Sequence, residues 1–285
     1  MWTVLAFLSP GLIPLLVFWI WPTLNAAYIS LTNWDYMSAG YDFVGLRQYE
    51  KLLTSADFYK AAKNTLVFCA ASTALSISGG LGFAMLLRRR FKGSGLFRAL
   101  FFSPWVTPAV AVSLVWMWVF DEKAGIANAV LNFLALPSLK WVGSSRTAML
   151  AVVIVTVWKS AGYSMVFYLT ALDKVPQPLY EAAVLDKASP VRSFWKITLP
   201  GISPTTFFLF VISTVNGLQA YDQIQILTQG GPAGSTRTLL YLYYHLGFER
   251  YDMGQASALA ILLLVLAAGL SCIQSAVAKR TVHYG

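Results

Sequence analysis

The sequence predicts an all-α membrane protein with about six transmembrane helices, on three observations. Of its 285 residues 57% are hydrophobic and only 12% charged, about half the charged share of soluble domains. Six apolar runs each reach the roughly 20 residues a membrane helix needs. Basic residues crowd alternate connections between these runs, the pattern that orients helices across a bilayer.

The runs cover approximately 3 to 31, 62 to 87, 97 to 120, 147 to 172, 203 to 225 and 254 to 277. The first carries Pro10, Pro14 and Pro22 and is the least regular, whereas the last, "ASALAILLLVLAAGLSCIQSAVA", is uninterrupted. Connections 88 to 98 (Arg88, Arg89, Arg90, Lys92, Arg98), 173 to 200 and the tail 278 to 285 (Lys279, Arg280) hold eleven basic residues in 47 positions. The alternate connections hold eight in 83. The denser set is expected in the cytoplasm, placing both termini there. The organisation expected is a first helix with an external loop over 1–61, a five-helix core over 62–277 and a cytoplasmic tail over 278–285. Ser78, Gly79, Gly80 and Gly82 suit close helix packing.

Several function classes are excluded. The net charge of +9 is spread between apolar runs rather than gathered on a polar domain, which argues against nucleic-acid binding. Cys69 and Cys272 lie within apolar runs without metal or redox spacing. His245 and His283 are read as isolated, with no carboxylate or second histidine at ligand spacing, so no metal is expected. The GxxxxGK[ST] loop is missing, so neither ATP binding nor hydrolysis is expected of this chain. The opening "MWTVLAFLSP" has no basic n-region and does not fit a cleaved secretory signal. A membrane enzyme would need convergent His, Cys or carboxylate groups, which do not occur. An ion-coupled carrier would need an intramembrane acid and an inverted repeat; Asp222 is the sole acid within a run, and no repeat is visible.

One stretch breaks the apolar pattern: "YEAAVLDKASPVRSFWKITLP", 180 to 200. Pro176 and Pro178 end the preceding run and open a short helix. Leu179, Ala182, Ala183 and Asp186 fall at helical spacing on one face of it. Ser189 followed by Pro190 starts a second, with serine as N-cap. That helix carries Val191, Phe194, Trp195 and Ile197 and stops near Pro200, with the bend at Lys187-Ala188. Two uses fit: an amphipathic surface turn, or a short helix seated in a partner's groove.

Ionisable residues within a span are functional candidates. Lys159, in "VWKSAGY", has two readings: a carbonyl-paired lysine with a structural job, or a lining residue of a solvated path. Asn216, Gln219, Asp222 and Gln223 share a sector of about 120° on a helix advancing 100° per residue. They predict a polar cavity with Tyr163 and Tyr221 as aromatic walls, or a subunit interface.

Glu181-Ala182-Ala183, three residues, position 187, nine residues and then Ile197-x-Leu199-Pro200 resembles the EAA signature of ABC importer permeases. Segments 103 to 131, 157 to 183 and 226 to 259 resemble the carbohydrate-uptake branch of that family. The resemblance implies the type I importer permease architecture, in a bacterial inner membrane. It also implies two permease subunits, often different chains, with two ATPase subunits and an external substrate-binding protein. ATP and Mg would belong to the ATPase partners, leaving this chain without a cofactor. Glu181, Ala182, Ala183, Asp186, Lys187, Ser189, Ile197, Leu199 and Pro200 would form the ATPase-coupling element, and Gly230, Gly231 and Pro232 would approach the binding protein. The implied substrate is a sugar or sugar-like polyol, with glycerol phosphate or its diesters as the alternative. The family usually has glycine where this chain has Lys187; if that turn is left-handed, lysine costs about 1 kcal/mol there.

Overall fold

The computed structural model describes residues 2–38, 40–88 and 91–281. The assignments made at Arg89, Arg90, His283 and the side chains of Lys279 and Arg280 lie outside it. Among the described residues the chain is helical, with a single isolated bridge between Thr32 and Phe43. Helix α1 runs over 2–29 as Trp2–Leu15, a π-turn Leu16–Ile20, and Trp21–Ile29. There follow α2 (Arg47–Thr54), α3 (Ala56–Leu87), α4 (Ser94–Val106), α5 (Ala109–Val119), α6 (Ile126–Phe133) and α7 (Ala148–Lys174). Next come α8 (Gln177–Leu185), α9 (Pro190–Gly201, with a π-turn Phe194–Thr198), α10 (Ser203–Leu218), α11 (Asp222–Leu227), α12 (Leu239–Tyr244) and α13 (Met253–Thr281).

Among the described residues four helices are long and apolar enough to cross a membrane unbroken: Phe7–Ile29, Ala56–Leu87, Ala148–Lys174 and Met253–Val277. The run expected as one span over 97–120 is instead two helices, α4 and α5, bent by 102°. Pro108 is the cause: it disfavours helix at Thr107, whose ψ is 135°, and it has no N–H to continue the ladder. The run expected over 203–225 ends at Leu218, and α9 meets α10 at 66°. Two of the π-turns end two residues before a proline, Pro22 and Pro200, each at the second position of the next α segment. A proline ring clashes with the carbonyl four residues back, and the wider turn takes up that clash without ending the helix.

The chain divides into two compact units. In the first, 1–62 with 239–268, buried Leu52, Phe58, Ala61, Leu239, Leu242, Leu246, Ala256 and Leu259 form the core. The second, 63–238 with 269–285, is built on Leu87, Met165, Tyr168, Leu172, Ile202 and Leu209. Close approach there depends on glycine. A Cβ on Gly162 of α7 would overlap the carbonyl of Phe101 on α4, and one on Gly80 of α3 would overlap Ser164 of α7. Of the other small residues expected to pack, Gly82 faces open space and Ser78 is exposed.

The expected bend between α8 and α9 is present. Ala188 N donates to Ala183 O at 2.9 Å and Lys187 N to Val184 O at 3.0 Å, the paired bonds of a Schellman turn, with Lys187 at φ +51° in its left-handed position. Ser189 caps α9 as expected, its Oγ accepting from Arg192 N at 3.3 Å.

Two stability predictions follow from this packing. Gly162→Val is expected to lower the detergent melting temperature by several degrees or abolish folding, because overpacking against backbone costs about 1–3 kcal/mol or more, whereas Gly82→Ala leaves it unchanged or raises it slightly. Lys187→Gly is expected to raise stability by about 1 kcal/mol, since glycine meets no penalty at positive φ; differential scanning fluorimetry of both variants checks the sign.

Candidate functional site

The second unit holds two features that chemistry can use: a polar cavity among the helices and the projecting α8–α9 segment.

The cavity, about 210 Å³, is enclosed by α3, α4, α5, α7, α10 and α11. Among its lining residues are eight serines and threonines: Ser72, Thr73 and Ser76 on α3, Ser113 on α5, Thr156, Ser160 and Ser164 on α7 and Ser213 on α10. Two amides join them, Asn216 and Gln223, the latter donating to Thr156 Oγ1 at 3.4 Å. Trp105 and Tyr163 stack at 4.3 Å and supply an aromatic wall. Two of the hydroxyls, Thr73 Oγ1 and Ser113 Oγ, are buried without a hydrogen-bond partner, the residues being 4% and 0% exposed. Such groups are costly unless something hydroxylic or water fills the space.

Lys159 lines this cavity, yet its ammonium is committed. Nζ donates to the carbonyls of Pro104 at 3.2 Å, Trp105 at 3.0 Å and Thr107 at 2.6 Å. The need arises at the break after α4. Pro104 O would take its hydrogen bond from residue 108, which is proline and has no N–H, and the 102° turn carries the Ala109 N–H away from Trp105 O. Three ammonium donors replace the missing ones, at the helix end where a cation is favoured. The carbonyl-paired reading of Lys159 is the one these contacts match, and the same side chain lines the cavity. Of the other residues expected along the path, Tyr163, Asn216 and Gln223 reach the cavity and Gln219, Tyr221 and Asp222 do not line it. The expected stripe assumed one continuous helix; the chain leaves helical geometry at Gln219–Tyr221, where Thr238 Oγ1 donates to Ala220 O at 3.4 Å, so the phase is lost. Trp105, Thr73 and Ser113 were missed because serine, threonine and tryptophan within apolar runs carry no signal until the helices are placed.

The α8–α9 segment presents two sides. Glu181, Ala182, Asp186 and Lys187 are exposed, and Val184 and Leu185 project at 74% and 84% exposure. Ala183, expected to share a face with Leu179, Ala182 and Asp186, turns inward at 8% exposure, on the turn its carbonyl closes by accepting from Ala188 N. Ile197 and Leu199 are half-buried against the core of the unit, Ser189 caps, and Pro200 is exposed. Tyr180 also turns inward: Arg88 lies over its ring at 5.2 Å, and its hydroxyl meets Thr198 Oγ1 at 2.9 Å.

The Gly-Gly-Pro loop is a self-bonded turn. Thr236 Oγ1 donates to Gly231 O at 2.9 Å and Ser235 N to Pro232 O at 3.0 Å, while Asn64 Nδ2 ties Gly234 O and Arg237 O from α3 at 3.0 Å each. Gly230 is buried, Gly231 and Pro232 are half-buried, and Gln229 and Ala233 are the exposed tips. His245, read as lacking a carboxylate neighbour, has one: Glu249 Oε2 lies 2.7 Å from Nδ1, one helical turn on. The pair stands alone, for no group of three metal-binding side chains occurs among the described residues.

Comparisons with known proteins agree with this architecture. The family model described as "Binding-protein-dependent transport system inner membrane component" matches residues 76–283. The trehalose/maltose transport system permease protein MalF of Thermococcus litoralis is 35% identical over 260 residues, covering 90% of this chain and 87% of that protein. The sn-glycerol-3-phosphate transport system permease protein UgpA of Pectobacterium atrosepticum is 33% identical, covering 99% and 96%. The multiple sugar-binding transport system permease protein MsmF of Streptococcus mutans is 33% identical, covering 98% and 95%. Among solved structures, a chain of a bacterial alginate ABC transporter, crystallised with an alginate pentasaccharide-bound periplasmic protein, superposes with a TM-score of 0.85 at 23% identity over 100% of this chain and 96% of that one. Broken spans, hydroxyl-lined cavity and projecting helix pair thus sit on a shared fold, and the chain belongs to the family of binding-protein-dependent transport system inner membrane components, as a multi-pass permease subunit.

Proposed function

We propose that this permease subunit forms the translocation path of a bacterial ATP-driven importer for a sugar or sugar-like polyol. ATP would be hydrolysed by separate partner subunits, and substrate delivered by an external binding protein. A second, homologous permease chain would complete the path. In this reading both termini and the α8–α9 segment lie in the cytoplasm, and the Gly-Gly-Pro loop outside. The observation that carries it is the α8–α9 segment: an anchored helix pair that leaves Glu181, Val184 and Leu185 projecting is shaped to enter a groove on a partner. Glu181 would meet basic or polar groups there, and the apolar pair would fill the groove.

Inside the membrane the same reading needs no covalent chemistry. The cavity offers hydroxyls that can donate or accept, two amides and an aromatic wall, groups that match the hydroxyls and C–H faces of a sugar ring. Glycerol phosphate is the second reading, favoured by the likeness to UgpA over nearly the whole chain. An ion-coupled carrier would want its acid in the path, and Asp222 does not line the cavity.

Two measurements test this function. Purified with its ATPase, wild type is expected to retain it stoichiometrically and to show vanadate-sensitive hydrolysis in nanodiscs, and Glu181→Lys to lose or uncouple it; a chain that purifies alone in both forms sinks the importer reading. In proteoliposome uptake, Thr73→Val and Ser113→Ala are each expected to raise KM about two- to tenfold, the worth of one net hydrogen bond, with unchanged assembly; unaltered uptake in both would remove the cavity from the path.

A further inference from the structure

Tyr180 immediately precedes the Glu-Ala-Ala triplet but faces the other way. It is partly buried against the core cluster that includes Leu87, Leu172, Val175 and Ile202. Arg88, one residue beyond α3, lies over the ring at 5.2 Å, and the same guanidinium donates from Nη2 to Leu172 O near the end of α7 at 3.3 Å. The tyrosine hydroxyl meets Thr198 Oγ1 on α9 at 2.9 Å. Arg98, on α4, donates to Leu87 O at 2.8 Å and closes the cluster. The Tyr180 ring and hydroxyl therefore join α8 to the end of α3 and to the middle of α9, and Arg88 carries the connection on to the end of α7.

We propose that Tyr180, held by Arg88, is the positioning residue that converts movement of α8 into movement of the membrane helices. The inference rests on the importer reading, in which α8 is the part gripped by the ATPase. A grip on α8 reaches the spans only through what fastens α8 to them. Its covalent links are a two-residue joint to α7, Val175-Pro176, and the Lys187 turn to α9. Both are backbone connections between helices and do not reach α3 or α4. Through Tyr180 a shift of α8 must either carry the ends of α3 and α7 with it or break a cation–π contact and a half-buried hydrogen bond together. A contiguous packed connection of this kind is one way coupling is carried between sites, and the Tyr180 ring is where α8 meets the Arg88 guanidinium.

The test uses the complete importer in nanodiscs, with its binding protein purified carrying its endogenous ligand. Two quantities are read: the amount of ATPase retained per permease, and the ratio of binding-protein-stimulated to basal ATP hydrolysis. Tyr180→Leu keeps apolar bulk but loses the cation–π contact and the hydroxyl. It is expected to retain the ATPase within about twofold while the stimulation ratio falls about tenfold, the equivalent of one or two such contacts. Tyr180→Phe, which keeps the ring, is expected to fall less. Arg88→Gln should reproduce Tyr180→Leu, with the double variant no worse than either, as residues acting through one contact require, and Arg88→Lys should restore part of the ratio. A normal ratio in Tyr180→Leu overturns the proposal. Parallel loss of the ATPase also overturns it, by making Tyr180 part of the docking face. A Tyr180→Leu chain too unstable to purify leaves the decision to Arg88→Gln, judged by the same ratio. Failure of the wild type itself to hold an ATPase removes the importer reading instead.

Discussion

The arrangement of the second unit depends on how the chain handles the missing N–H of Pro108. A helix broken by 102° in a membrane exposes carbonyls that hydrocarbon cannot satisfy. Lys159 reaches across from α7 and supplies three donors to that end. One cation thus makes the break tolerable, and both sides of it line the cavity, Trp105 from α4 and Ala109, Val112 and Ser113 from α5. Trp105, the last residue but one of α4, is set against Tyr163 by the same contacts. The lysine serves the cavity by holding its wall, and its hydrogen-bonding capacity is used up in doing so.

Much of this was legible in sequence, for reasons that differ from element to element. Four of the six apolar runs and the two short helices could be read because hydrophobic length and the Ser-Pro start are local signals, and these appear where expected. The break at Thr107 was in principle readable from Pro108, but a proline within a long apolar run also fits a kinked continuous span, as Pro10 and Pro14 show in α1. The polar stripe failed because it extended helical phase through Gln219–Tyr221, where a turn fixed by Thr238, a residue 18 positions away, interrupts it. Ala183 was put on the outer face by spacing alone; the turn at Lys187 draws it inward. His245 shows a plain oversight of local pattern, since Glu249 lies at i+4.

The cavity residues were the least legible. Thr73 and Ser113 sit on α3 and α5 in runs that read as ordinary membrane helix, where small hydroxyls usually pack against a neighbour or back-bond to their own helix, as Ser72 does to Phe68 O at 2.6 Å. What distinguishes them is the lack of such a bond, a property of the assembled helices. The coupling segment is the reverse case: its outline was clear from motif spacing, while its anchoring by Tyr180 and Arg88 required knowing that residues 92 apart in sequence meet.

Gly162 and Lys159 stand three residues apart on α7, nearly one turn, and both engage the last two turns of α4: the glycine receives the Phe101 carbonyl and the lysine the carbonyls of Pro104, Trp105 and Thr107. A rod held at one height can pivot about it; held at two heights it cannot. Helices α4 and α7 are therefore braced against each other at two heights, and the first backbone step beyond the braces is at Pro108, where α5 turns away.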